Sequence, residues 1–159
     1  MRLTSTCMLV SILLLSGPVA DFSLAGVPSF SESTPVGRWK TVDDVTGKAK
    51  SLVVIRDEQG KISGTIEKIL DPSSTDADPR CGHCQGELKN KPLIGLRILW
   101  DLRKDGAQWS GGKVLDPETG KIYKCVIALE DGGMKLKVRG FLGFSLLGRT
   151  QYWLRNREP

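Results

Sequence analysis

The feature that most constrains this chain is a recurring punctuation. Thr46-Gly47-Lys48, Gln59-Gly60-Lys61, Thr119-Gly120-Lys121 and Gly132-Gly133 each separate two short runs rich in Val, Ile, Leu and aromatic residues. Glycine reaches the positive φ that tight hairpin turns demand, and the flanking Asp and Glu residues solvate the turns. The pattern predicts an antiparallel meander with strands near 36–42, 49–56, 61–70, 93–102, 107–115, 121–130, 134–140 and 149–156. Met134, Leu136 and Val138 interleave with Lys135, Lys137 and Arg139, so one face of that strand meets a core and the other meets water.

A single open sheet of eight strands would leave two edges unpaired. Closure into a barrel removes them, and eight strands enclose an interior just wide enough for side chains or one small ligand. The predicted fold is therefore all-β, an eight-stranded antiparallel up-and-down barrel, with helix limited to a turn within 83–91. The one long connection, Asp71 to Pro92, holds Cys81-Gly82-His83-Cys84. Loops of that length are usually functional or disordered, and the cysteines argue for order.

Met1-Arg2, the apolar stretch Cys7 to Leu15 and the small-residue ending Ser23-Leu24-Ala25 have the layout of a secretory signal peptide, cleaved after Ala25. The apolar stretch is too short to span a bilayer. Cys7 stands at its start rather than after it, which argues against a lipid anchor. Segment 26–35, with Pro28, Pro35 and several Ser and Thr residues, reads as a flexible lead-in to one barrel domain at 36–157. The expected location is periplasmic or secreted. Cleavage removes Arg2 and Asp21 together and leaves the net charge at +5. So mild a balance, with acids and bases interspersed, is not the footprint of a nucleic-acid binder and permits only weak attraction to anionic or membrane surfaces.

Cys81-Gly82-His83-Cys84 has the letters of a thiol-disulfide redox site, with Cys81 as nucleophile, Cys84 as resolving thiol and His83 tuning the thiolate. Such a site needs a helix N-terminus after a β-strand to lower the first thiol's pKa. Here Asp78-Pro79-Arg80 precedes the motif and no βαβ unit surrounds it. The favoured reading is a Cys81–Cys84 disulfide that pins the loop in an oxidising compartment. Cys125 is then left as a small buried hydrophobe, or pairs instead with Cys81 or Cys84. A zinc site from Cys81, His83, Cys84 and Cys125 lacks the second spaced pair of structural zinc motifs, so no metal and no cofactor are expected. His83 is the single histidine and no GxSxG motif accompanies it. The turn carboxylates, Asp43, Asp44, Asp57, Glu58, Asp116, Glu118, Glu130 and Asp131, read as solvated loop caps.

Several motifs in fixed order carry a family resemblance: Gly37-Arg38-Trp39, the Cys81 to Cys84 segment followed by Lys91-Pro92-Leu93-Ile94-Gly95-Leu96, Gly111-Gly112-Lys113-Val114-Leu115-Asp116-Pro117, Tyr123, Leu136 to Gly143, and Leu147 to Gln151. Together they resemble the exported bacterial family called domain of unknown function 2147, across nearly the whole mature chain. That resemblance implies a compartment and a barrel, and no reaction. Gly37-x-Trp39 also resembles the first-strand motif of lipocalins, in which the Trp packs at the closed end of the barrel under an Arg from the last strand. Arg139, Arg149 and Arg155 are the candidates for that cation.

The apolar segment Phe141 to Gly148 reads either as a cap on one barrel end or as an exposed lip that receives a hydrophobic ligand, a membrane surface or a partner. The leading expectation is a non-catalytic binder of a small apolar molecule or an envelope protein. Trp39, Trp100, Tyr123, Arg139 and Phe141 are expected at the cavity or its closed end. The alternatives are the redox enzyme and a filled-barrel envelope scaffold.

Overall fold

The computed structural model describes residues 34–71, 77–143 and 147–158. The signal peptide assigned to 1–25, most of the lead-in and positions 144–146 of the apolar segment lie outside the described residues. Eight strands follow one another: β1 (Gly37–Val42), β2 (Ala49–Glu58), β3 (Lys61–Ile69), β4 (Arg97–Asp105), β5 (Gln108–Asp116), β6 (Lys121–Glu130), β7 (Lys135–Phe141) and β8 (Gly148–Asn156). Each pairs antiparallel with the next, and β8 returns to β1 through Arg38↔Asn156, Trp39↔Arg155 and Lys40↔Leu154. The barrel is closed, so among the described residues no strand is left as a sheet edge.

The up-and-down order gives the barrel two unlike ends. The β2–β3, β4–β5 and β6–β7 turns form one end, where both the Thr34 segment and Asn156 also lie. The β1–β2, β3–β4, β5–β6 and β7–β8 connections form the other. Strand alternation sends Val53, Ile55, Leu136, Val138, Cys125 and Ile127 inward, and they are buried with Trp39, Leu99, Leu102, Trp109 and Trp153 in one core.

β4 begins at Arg97 rather than near 93. Pro92 has no N–H for a ladder, Gly95 sits at φ 85°, and Leu93 N donates instead to the Pro79 carbonyl. A second irregularity at Asp101 (φ 60°) and the register shifts between β3 and β4 turn both Ile98 and Leu99 into buried positions. The expected helical turn is a 3-10 turn, Gly86–Leu88.

The long connection is ordered over its described part. Arg80 bridges Pro92, Cys81 N donates to Lys91 O at 2.9 Å and Asn90 N to Cys81 O at 3.0 Å, which makes a small hairpin with the cysteines near its tip.

Candidate functional site

At the end that holds the Thr34 segment and Asn156, the interior is filled. Trp39 is 0% exposed, its Nε1 donates to the Pro35 carbonyl at 2.8 Å, and the Arg155 guanidinium lies 4.2 Å from its ring centroid. Arg155 also donates to the carbonyls of Gly133 (2.6 Å), Val36 (3.0 Å) and Thr34 (2.7 Å). Three carbonyls and an aromatic face around one guanidinium satisfy its planar fork while keeping its charge. Gly37 is required here. Its φ is +133°, and a Cβ would come within 3.0 Å of Arg155 Nη1. Thr34 and Pro35, the last residues of the expected lead-in, are therefore part of the barrel floor.

The other end is hollow. A cavity of about 450 Å³ opens there, in the size range of small-molecule sites. Ile66, Ile98, Val114, Val138 and Trp153 form its apolar body. Tyr123, Gln151, Thr41 and Ser51 add polar groups, with the Thr41 and Ser51 hydroxyls hydrogen-bonded to each other at 2.8 Å. Its rim carries Asp43, Asp71, Asp116 and Glu118 with Lys50 and Arg149. Pro79 and Leu93, from the base of the cysteine hairpin, complete the wall. Sequence reading did not find this role because neither residue belongs to a strand.

The predicted site residues divide between these places. Trp39 is in the floor and Tyr123 lines the cavity. Arg139 is on the outer face, donating to Thr150 Oγ1 at 2.9 Å, and Arg155 holds the cation position over Trp39. The alternation of β7 is the reason: Leu136 and Val138 point inward, so Arg139 points out. The same register turns half-buried Phe141 outward, opposite exposed Lys124. Trp100 stands opposite exposed Lys113 and does not line the cavity.

Cys81 and Cys84 form a disulfide with Cα atoms 5.3 Å apart. They are 0% and 2% exposed, and Cys81 Sγ lies 3.5 Å from the Pro117 carbonyl oxygen. The tip docks so tightly on the β5–β6 turn that a Cβ at Gly120 would meet the His83 carbonyl oxygen. Gly120 also has φ +68°, so the turn and the docking both need glycine. Buried sulfurs with no helix N-terminus before them are poor targets for an attacking thiolate, and the disulfide occupies both thiolates that a zinc ion would take. Exposed His83 contributes its backbone to the docking. Cys125 is a free thiol inside the barrel, 1% exposed, and burial pushes its pKa up to about 12, so it stays protonated.

A filled floor capped by an Arg on a first-strand Gly-x-Trp, beneath a hollow eight-stranded mouth, defines a lipocalin-like barrel. A solved structure shares this fold: protein HP1028 from the human pathogen Helicobacter pylori, described as belonging to the lipocalin family, matches with a TM-score of 0.66 and 22% identity, over 77% of this chain and 83% of that one. The chain belongs to the family DUF2147, described as an uncharacterized protein conserved in bacteria, whose pattern matches residues 37–155. No curated protein matches the sequence. Among the described residues, no helix is long and apolar enough to cross a membrane.

Proposed function

We propose that this protein binds a small, partly apolar molecule in the open half of its barrel, and does so in the periplasm or outside the cell, where its leader would send it. The observation that carries the reading is the cavity: about 450 Å³, apolar in its body and polar at its rim, in a barrel whose opposite half is packed solid. Tyr123 and Trp153 contact the cargo, while Trp39 and Arg155 fix the floor beneath it. Native mass spectrometry of the protein purified from its own compartment tests this. A co-purifying small molecule that is lost in a Val114→Trp variant is expected. A bare mass, together with no uptake of any single-chain amphiphile, overturns the reading.

A second observation favours contact of the mouth with an envelope surface. Val45 (89% exposed), Ile94, Leu142 and Leu147 (76% exposed) all sit in connections at the open end. Apolar side chains so placed suit a surface from which cargo is drawn. Flotation with lipid vesicles checks this, and failure of the wild type to float with any composition rejects it.

A further inference from the structure

We infer that the cargo is an amphiphile with a cationic head, an alkylammonium in chemical class, seated with its chain in the cavity and its head at the rim. The inference rests on the cavity reading above and adds the sign of the head group.

The argument is one of charge bookkeeping at the rim. Among the described residues, Asp43, Asp116 and Glu118 line it, with Asp44 beside them on Arg149, against the two cations Lys50 and Arg149. Both cations are already engaged. Lys50 Nζ lies between Asp43 Oδ2, at 3.7 Å, and Glu118 Oε1. Arg149 Nε donates to Asp44 Oδ2 at 2.7 Å. The rim is therefore acidic on a chain whose net charge is +5, so its sign runs against that of the protein as a whole.

The carboxylates are also pre-organised. Asp43 Oδ1 accepts from Val45 N, Thr46 N and Thr46 Oγ1, and these bonds hold its carboxyl below the ordinary range. Asp116 accepts from Glu118 N and Thr119 Oγ1. An anionic head could reach Lys50 or the Arg149 Nη groups only by settling beside Asp43, Asp44 and Glu118, which already sit against those cations. An ammonium head meets carboxylates that are in place and in surplus. Tyr123 and Trp153 line the same cavity, and aromatic faces attract cations and repel anions.

The test titrates the folded protein with decyltrimethylammonium, decanoate and decanol at neutral pH, below micelle formation, by calorimetry and tryptophan fluorescence. The ammonium is expected to bind about tenfold more tightly than the carboxylate, with the alcohol between them. The pair Asp116→Asn and Glu118→Gln, in which Asn keeps an acceptor for the turn, should shrink that gap to about threefold or less and leave decanol unchanged. Equal or tighter binding of decanoate, with decanol still bound, overturns the head-group inference and leaves the cavity reading standing. Ammonium binding that survives Val114→Trp is surface attraction and also overturns it. Failure of all three probes to bind overturns the cavity reading itself.

Discussion

Arg155 and Arg149 lie on the same strand six residues apart, roughly 20 Å along the chain, and the barrel uses them in opposite ways. Arg155 spends donors on three backbone carbonyls and its face on buried Trp39, so the guanidinium is consumed internally. Arg149 makes an exposed ion pair with Asp44 beside a cavity and fixes little backbone. Stability is thus concentrated at the floor, and the mouth is left with room and with charge. A closed ladder lets the two ends be specialised separately, because the strands transmit the frame and not the packing.

The comparison breaks first at Trp39. Trp39→Ala should cost about 3–5 kcal/mol in chemical unfolding, from lost burial and an unfilled floor. A loss under about 1 kcal/mol would mean that the floor is not the stable half. Arg155→Met should cost about 2–3 kcal/mol by leaving three carbonyls and the Trp39 face without their cation. Arg149→Met should cost under about 1 kcal/mol, as exposed pairs do. Equal losses from the two arginines would erase the contrast.

Replacing both Cys81 and Cys84 with Ala should cost about 1–2 kcal/mol, because the closed loop is short. Hydrogen exchange should rise in the 77–96 segment and the β5–β6 turn while the floor stays protected. Val114→Trp should change stability by within about 1 kcal/mol, since the ring enters space rather than a packed wall, and should abolish amphiphile binding. Filling the mouth without losing the fold is the sharpest separation of the two halves.

The smallest effect concerns acid. Hydrogen bonds from Thr46, backbone and side chain, depress the Asp43 carboxyl in the folded protein. A depressed carboxylate favours the native state above its unfolded pKa, and that contribution fades as pH falls through the lowered folded value. Asp43→Asn should therefore lower stability slightly at neutral pH and flatten the acid limb, measured by unfolding midpoints from neutral pH downward, with variant and wild type converging as pH falls through the lowered value.

Much of the floor was legible in the residues. The resemblance of Gly37-x-Trp39 to the lipocalin first-strand motif implied a buried Trp under a cation, and the period-2 pattern of β7 separated core from solvent. That same pattern places Arg139 outside, yet the choice among three arginines needed the β1–β8 register, a pairing of residues more than a hundred positions apart that no local signal encodes. The mouth was harder to read. Its wall takes Pro79 and Leu93 from a loop, and Ile98 from an irregular strand start, so no alternation marks them. Proline in that loop signalled a break but not what the break would border.

Both ends of the described chain leave from the floor: Thr34 and Val36 are gripped by Arg155, and Asn156 pairs with Arg38. Among the described residues, the mouth is built of internal connections. A fusion partner, an affinity handle or a surface linkage joined directly before Thr34 or after Asn156 would therefore start on the side away from the opening, and a protein immobilised that way would present its mouth to solution.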